Sequence, residues 1–377
     1  MRILPVLTIA SLSAAALLLA DAPAAAQSDI LLQLRSGSPQ GDRLRVDSAG
    51  GFVAMGTLGI GIIPATGCGY RMMWYPYRGA FRAGTTDDGG SCNYWDDANI
   101  GFYSWAGGNL SRASAFASFA FGDQMVVTGV DGAGFGASST VSGTVGFSAG
   151  ANNTCSGFGC VTMGYFNTAS GQGSAAIGYR STANANYAVA IGHRASTSGR
   201  TGAFVISDAS TTDSTQATAN NQFMGRFAGG WNLYTNSSRT VGVRLAAGGS
   251  SWIVISDRDR KENFVGLDPE DVLRRLRDVP VSRWQYRDEE DRSVWHVGPM
   301  AQDWEAAFAL GGDGTTINMS DFDGVNLAAI QALERRTEAQ SGRIAELEAE
   351  VGRLRALETE VAELRAMMGT LAAPTSP

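Results

Sequence analysis

Short alternations of apolar and polar residues recur through the first half of the chain at a spacing of 14 residues. Triplets with apolar first and third residues, such as residues 119–121 and 189–191, precede several regularly placed glycines. Those glycines are Gly108, Gly122, Gly136, Gly150, Gly164, Gly178 and Gly192. Alternation predicts short β-strands with one face inward, and glycine after each strand predicts a turn.

Two strands and two turns per repeat describe one coil of a narrow β-solenoid. Five residues after the repeat glycines, further inward positions are expected at Val127, Val141, Cys155, Ala169 and Ala183. A single coil cannot bury an apolar face, so about seven coils are expected to stack over residues 101–206. So narrow a solenoid has little interior in which to bury apolar side chains. We therefore expect it to associate with other copies of the chain.

Less regular segments flank the repeats. Residues 27–100 are expected to form a cap over the first coil, which solenoids need. The aromatic-rich run of residues 70–77 fits either this cap or a binding surface. After the repeats, residues 207–250 are expected to form a neck, with strand-like pieces at residues 222–227 and 240–245.

The pattern changes at residue 251, where a small α+β domain is expected to begin and to run to residue 335. An apolar strand over residues 252–255 leads directly to Ser256. Asp268 followed by Pro269 predicts the start of a helix, with Asp268 as its N-cap.

Further along this domain, two more strands and two helices are expected. Residues 281–286 and 293–297 alternate as strands, and an acidic turn separates them. A helix is expected to start within residues 298–303, and residues 321–326 lead into a long final helix.

The final helix carries a heptad pattern that predicts a coiled coil over residues 336–368, before a disordered tail at residues 369–377. Its apolar positions are Ile330, Leu333, Ile344, Leu347, Val351 and Leu354 and, after a three-residue shift, Leu357, Val361, Leu364 and Met368. The mixture of residue types at these positions permits two or three strands.

The N-terminus, residues 1–26, is typical of a secretory signal peptide. Arg2 precedes an apolar stretch, and three alanines ending at Ala26 provide a cleavage site. A retained membrane anchor is the alternative. No later run is long enough to span a bilayer, so the mature chain is expected to be exported without a transmembrane segment, at the cell surface or outside the cell.

Charge narrows the function further. The chain has a net charge of −7, and only 17% of its residues are charged, so nucleic-acid binding is not expected. Its Cys and His spacing contains no zinc motif, and we expect neither a metal nor another cofactor.

Four cysteines are disulfide candidates, because an exported chain permits disulfides. Proximity in the sequence favours the pairs Cys68–Cys92 and Cys155–Cys160. For Cys155 and Cys160, two small buried side chains without a disulfide remain an equal alternative.

Lys261 is the only lysine among 29 basic residues. A coding bias toward arginine can remove lysine wherever a positive charge suffices, but lysine, unlike arginine, can give up its proton in a protein. A neutral lysine can activate a serine hydroxyl, and Ser256 lies five residues before Lys261. A loop serine beside a solvated lysine is the alternative.

The run from Ser256 and Asp257 to Lys261 and Asn263 resembles the start of the C-terminal intramolecular chaperone of phage endosialidase tailspikes. That self-cleaving serine peptidase domain also occurs in other phage fibres and in the myelin regulatory factor. Residues 298–303, which include Gly298 and Gln302, match its Gly-x-x-Ala-Gln-acidic motif. The chain departs from the pattern at Asp259, where the family often has arginine.

The resemblance implies cleavage of the peptide bond between Ile255 and Ser256. Ser256 is then the nucleophile and Lys261 the general base and acid of a Ser–Lys peptidase that acts once, on its own chain. His296 either assists by hydrogen bonding or is structural.

The 14-residue repeats over about residues 100–206 resemble the head repeats of trimeric autotransporter adhesins. This resemblance implies a homotrimer of parallel solenoids. No C-terminal membrane β-barrel segment like that family's is expected from the sequence, and the resemblance does not identify a surface or glycan ligand.

Together the patterns predict a mainly β fold: a trimeric parallel β-solenoid followed by a small α+β chaperone domain and a coiled coil. The expected function is an exported, adhesin-like homotrimeric fibre whose chaperone domain directs assembly and then cleaves itself off. One alternative is a fibre that keeps an inactive chaperone domain. Another is a glycan-degrading tailspike, whose candidate carboxylates would be Asp87, Asp88, Asp96 and Asp97.

Overall fold

The computed structural model describes residues 30–37, 40–310 and 312–371. The predicted signal peptide, residues 1–26, and the last six residues of the predicted tail lie outside the described residues. The chain divides into two compact units, Met1–Gly230 and Trp231–Pro377, which are described separately below. Among the described residues, no helix has the length and apolar character needed to cross a membrane.

The first unit is built of β-strands. Its strands are β1 (Ile30–Gly37), β2 (Gln40–Asp47), β3 (Phe52–Ala54), β4 (Tyr70–Tyr75), β5 (Ala80–Thr85), β6 (Trp105–Asn109), β7 (Arg112–Ala113), β8 (Phe119–Asp123), β9 (Val126–Val127), β10 (Ala133–Ala137), β11 (Thr140–Val141), β12 (Phe147–Ala151), β13 (Thr154–Cys155), β14 (Val161–Tyr165), β15 (Thr168–Ala169), β16 (Ala175–Tyr179), β17 (Thr182–Ala183), β18 (Val189–His193), β19 (Ala195–Ser196), β20 (Phe204–Ser207), β21 (Thr215–Gln216) and β22 (Phe223–Arg226).

The repeats form a parallel β-solenoid, as predicted. Long strands stack into one sheet from β5 through β6 to β22, and two-residue strands stack into a second sheet from β7 to β21. From β6 to β16, each long strand pairs with residues 14 positions further along the chain, as Phe119 does with Ala133. The last coils are longer, since Phe204 pairs with Phe223. The mainly β solenoid architecture is therefore confirmed.

The repeat glycines do not form the turns, and this prediction was wrong. Gly122 and Gly136 lie inside long strands, at φ of 140° and 119°. A Cβ on either glycine would overlap the carbonyl group of the repeat glycine in the next coil. Glycine is needed there because adjacent backbones approach closely. The turns instead use left-handed residues such as Gln124 and Arg180.

The solenoid core is narrow and made of small side chains. In each long strand the middle residue of the apolar triplet points inward, as buried Ala120 and Ala176 do. The flanking residues face outward, so Phe121 is 54% exposed. The predicted inward positions of the short strands, such as Val141 and Cys155, are fully buried. The long sheet therefore presents an apolar outer face in a single chain.

An antiparallel pair closes one end of the solenoid. Strand β4 pairs with β5, which continues parallel into β6. Along β4, Met73 and Tyr75 are buried with Trp95, whereas Tyr70 and Met72 are exposed. The aromatic run therefore packs one face against the unit and presents the other to solvent.

The second unit combines two small sheets with three helices. Its elements are β23 (Trp231–Tyr234), β24 (Gly242–Leu245), β25 (Trp252–Val254), α1 (Pro269–Arg277), β26 (Ser282–Trp284), β27 (His296–Gly298), α2 (Ala301–Phe308) and α3 (Met319–Leu371). The predicted helix start at Asp268 is confirmed, because its side chain accepts a hydrogen bond from the Glu270 amide at 3.0 Å.

The helices share a small core around Trp304, which is 1% exposed. It packs with Val272 of α1 and with Val325 and Ala329 of α3. Beyond this core α3 continues to Leu371 as a helix of 53 residues. Its apolar heptad residues lie on the surface of the single chain, with Leu347 44% exposed and Leu354 54% exposed.

Candidate functional site

Ser256 follows the edge strand of a three-stranded antiparallel sheet. Strand β25 pairs with β24, which pairs in turn with β23. The pairing extends to Ile255, whose amide donates to the carbonyl of Gly242 at 3.2 Å. The bond between Ile255 and Ser256 therefore lies where the backbone leaves the sheet.

A single 3-10 turn, Arg258–Arg260, brings Lys261 back to Ser256. Asp257 caps this turn by accepting a hydrogen bond from the Asp259 amide at 3.0 Å. The Lys261 amide then donates to the Arg258 carbonyl at 3.1 Å. As a result, the Nζ of Lys261 lies 2.7 Å from the Oγ of Ser256. This is the reach that a general base needs for a serine nucleophile.

Charged and aromatic neighbours hold the loop around this pair. Arg260 lies 3.6 Å from the Asp257 carboxylate, and the Arg258 guanidinium covers the ring of Phe264 at 5.1 Å. The roles of Arg258 and Phe264 have no signal in the sequence. Their spacing of six residues carries no periodic signal, because it depends on the non-helical path after Lys261.

Both members of the pair are exposed in the single chain. Apolar neighbours are exposed with them, and Val265 is 85% and Leu267 67% accessible to solvent. A lysine acts as a general base only as the neutral amine, which a water-free environment favours. The single chain thus holds the geometry for proton transfer in a solvated environment.

His296 lies on a different element from the pair. It stands on β27 opposite Trp284, with the two rings stacked at 4.6 Å, and its Nε2 lies 3.2 Å from the carboxylate oxygens of Glu289. Of the contacts described for His296, none involves Ser256 or Lys261. These contacts fit the alternative that His296 has a structural role.

The remaining motif residues occupy turns and element ends. Asn263 takes a left-handed conformation with φ of 57°, which asparagine tolerates better than most residues. Gly298 ends β27, and Gln302 lies exposed in the first turn of α2. These positions shape the domain around its hairpin and second helix.

The four cysteines are joined as Cys68–Cys92 and Cys155–Cys160, with Cα separations of 4.7 and 5.6 Å. Cys68, Asp87 and Cys92 place potential ligand atoms within 4.8 Å of one another. Sulfur atoms in a disulfide are not thiolates and do not bind a metal as thiolates do. This cluster is therefore a cross-linked loop.

The acidic residues of the cap have structural partners. Asp97 accepts from Arg78 at 2.8 Å and from the Tyr75 hydroxyl at 2.8 Å, and the hydrogen bond from Arg78 lowers the pKa of Asp97. Asp96 accepts from the Gly67 amide, and Asp88 from the Cys92 amide, both at 3.1 Å. These carboxylates order the loops of the cap.

Family models match one segment at the Ser–Lys pair and another in the solenoid. Residues 256–312 match the family described as chaperone of endosialidase, peptidase S74. Residues 169–195 match two copies of the YadA head domain repeat. No curated protein matches the chain. The resemblances drawn from the motifs are thus confirmed for these two segments, one at the Ser–Lys pair and one in the solenoid.

The chain therefore carries an adhesin-type head repeat within a β-solenoid and a chaperone-type domain near its C-terminus. This combination fits an adhesin or fibre with an assembly domain, and fits an exported or surface protein.

Proposed function

We propose that this protein is an exported homotrimeric surface fibre that is released from its own assembly domain by one autoproteolytic cut. The observation that carries the proposal is the 2.7 Å contact between Lys261 Nζ and Ser256 Oγ, directly after the Ile255–Ser256 bond. The match of residues 256–312 to an endosialidase chaperone begins at this serine.

The reaction runs in two steps. Neutral Lys261 accepts the hydroxyl proton of Ser256 as Oγ attacks the carbonyl carbon of Ile255. The C–N bond breaks, the proton passes to the amine of Ser256, and an ester joins Ile255 to Oγ. Water then hydrolyses this ester, leaving a carboxylate on Ile255 and a free amino terminus on Ser256.

Trimerisation is supported by apolar surface that a single chain leaves exposed. The heptad residues of α3 form an exposed apolar stripe, which in water is stable only when another helix covers it. The outward triplet residues of the long sheet form a second exposed apolar face. Three chains, rather than two, follow from the likeness to the head repeats of trimeric adhesins.

Assembly and cleavage are coupled in this proposal through the solvation of Lys261. Val265 and Leu267, four and six residues beyond it, are exposed apolar side chains that neighbouring chains would cover. Covering them removes water from the loop and favours the neutral amine. The cut then follows assembly, and the stability of the released fibre is kinetic, because its assembly domain has gone.

Mass spectrometry of the folded chain tests the cut. We expect a fragment that begins at Ser256, and none from Ser256→Ala or Lys261→Arg, which keeps the charge but removes the base. Ser251→Ala, an exposed serine five residues earlier, is the matched control and should be cut normally. If folded trimers contain the intact chain and no fragments, the result supports a fibre with an inactive chaperone domain. Cleavage of the Lys261→Arg variant between Ile255 and Ser256 would refute the Ser–Lys mechanism.

A further inference from the structure

Charge is distributed unevenly along the solenoid. The whole chain has a net charge of −7, yet no Asp or Glu occurs between Asp131 and Asp208. The charged residues in that interval are Arg180, Arg194 and Arg200. The second half of the solenoid is therefore positive within an acidic protein, and this polarity would attract an anionic ligand.

Two of these arginines lie on one edge of the solenoid, beside a column of rings. The column and its neighbours, called the arginine–tyrosine edge, comprise Tyr165, Phe166, Tyr179, Arg180, His193 and Arg194. Tyr165 stacks on Tyr179 at 5.9 Å, and Tyr179 on His193 at 5.2 Å. These residues occupy the same position in successive coils, because β14, β16 and β18 pair in register.

The backbone holds the two arginines in adjacent coils. Arg180 and Arg194 have left-handed φ values of 54° and 56°, and their amides donate to the carbonyls of Tyr165 and Tyr179. The guanidinium of Arg180 lies over the rings of Phe166 and Tyr179, at 5.3 and 5.5 Å. Their side chains therefore leave a fixed backbone one strand spacing apart, about 5 Å.

Neither arginine has a counter-ion among the residues that the structure describes. Within the part of the chain that the structure describes, neither Arg180 nor Arg194 forms an ion pair, and the Nε of Arg194 has no hydrogen-bond partner. Two like charges carried on backbones one strand spacing apart repel each other. Carboxylates of a bound ligand would relieve this repulsion and accept from both guanidinium groups.

The arrangement selects among anionic polymers. A linear chain fits an edge that repeats in line along the solenoid, and a sugar ring spans about one strand spacing, about 5 Å. Single-stranded nucleic acids require open aromatic faces for their bases. Here Tyr179 and His193 cover each other at an interplanar angle of 9°, which leaves ring edges and hydroxyls to interact with the ligand.

We propose that the arginine–tyrosine edge binds an acidic polysaccharide. Arg180 and Arg194 pair with its carboxylates, and the hydroxyls of Tyr165 and Tyr179 hydrogen-bond its sugar hydroxyls. This inference rests on the proposed function only in that a surface fibre needs a ligand. It depends neither on cleavage at Ser256 nor on the number of chains.

Binding of the full chain to immobilised polygalacturonate tests the proposal. We expect saturable binding that weakens with added salt, and no binding to neutral dextran. Arg180→Gln with Arg194→Gln should weaken binding at least about tenfold, the loss of two charge-assisted contacts. Replacing both with lysine should restore most of it. Arg239→Gln is the matched control, because Arg239 is an exposed arginine with φ of 56° outside the solenoid.

Three results would overturn the proposal: native affinity in the double glutamine variant with native circular dichroism, equal binding to dextran, or tighter binding to double-stranded DNA than to polygalacturonate. The Ser256→Ala chain should bind as the native chain does. A native chain that binds but is never cut would therefore refute autoproteolysis alone, and absence of binding by a cleaved native trimer would refute this inference alone.

Discussion

The guanidinium of Arg82 donates to both the carbonyl and the hydroxyl oxygen of Ser104, at 2.9 and 2.8 Å, inside the closed end of the solenoid. It also donates to the carbonyls of Phe81 and Ala113. Arg82 is fully buried, and burial lowers its pKa to about 9, so the group remains charged at neutral pH.

Replacing Arg82 should therefore destabilise the cap. Arg82→Ala leaves a cavity and removes one donor from each of three carbonyls, two of them in buried hydrogen bonds, with an expected loss of about 3–5 kcal/mol in the free energy of unfolding. Arg200→Ala, at an exposed arginine, should cost less than about 0.5 kcal/mol. Urea unfolding followed by tryptophan fluorescence measures both. Equal stability of the two variants would contradict this account.

The glycine column makes a second prediction. Gly136→Ala places a Cβ against the Gly150 carbonyl in a backbone with φ of 119°, and should destabilise the solenoid by about 3 kcal/mol or more. Gly159→Ala also needs a left-handed backbone, with φ of 64°, but meets open space. Its cost should be only about 1–2 kcal/mol. Thermal unfolding of both variants compares them, and a reversed order would refute the close approach of adjacent coils.

Acid should weaken the end of the solenoid through Asp208. Hydrogen bonds from the Ala228 amide, at 2.6 Å, and from the Ser210 hydroxyl lower the pKa of Asp208 to about 2. A depressed folded-state pKa gives stability that is present above the unfolded pKa, near 4, and is lost as pH falls toward 2. Asp208→Asn should reduce this dependence in unfolding experiments between pH 2 and 5. Asp131→Asn, an exposed control, should retain the native slope.

The apolar stripe of α3 should determine the oligomeric state. Leu347→Asp places a charge in the proposed coiled-coil seam, and light scattering should show fewer trimers than in the native protein. Glu350→Gln, an exposed position on the same helix, should leave the mass unchanged. Monomers in the native protein would contradict the proposed assembly.

The two disulfides should contribute different amounts to the free energy of unfolding. Closing the longer loop, Cys68–Cys92, is expected to contribute about 3.5 kcal/mol, and the short Cys155–Cys160 loop about 2 kcal/mol, from chain entropy. Paired alanine variants compared by urea unfolding measure this difference. Peptide mapping without reductant checks the pairing itself, and mixed pairs would refute it.

Much of the fold could be predicted because periodic burial has a direct sequence signal. The register of 14 residues, the inward Val141 and Cys155 and the N-cap at Asp268 all follow from local rules. The role of Gly136 could not be predicted, since a glycine looks the same whether it turns the chain or lies against another backbone. The second hairpin strand was expected at residues 293–297 but lies at His296–Gly298, because residues just before it fold back around Gln285.

The candidate site, like the fold, could be predicted only in part from the sequence. Ser256 and Lys261 could be named from chemistry and a motif, but their contact depends on the turn that Asp257 caps. No periodic rule predicts that His296 pairs with Glu289, seven residues earlier in the chain. Short irregular loops take their geometry from specific hydrogen bonds, which sequence patterns do not encode.

The constant register of the long strands has a consequence for how such a protein can change over time. Because each coil from β6 to β18 meets its neighbours through the same pairing, gain or loss of one 14-residue unit leaves every other contact in place. A duplication of 42 nucleotides would lengthen the solenoid by one strand spacing, about 5 Å, without a new fold. Length can therefore evolve separately from the chemistry at Ser256.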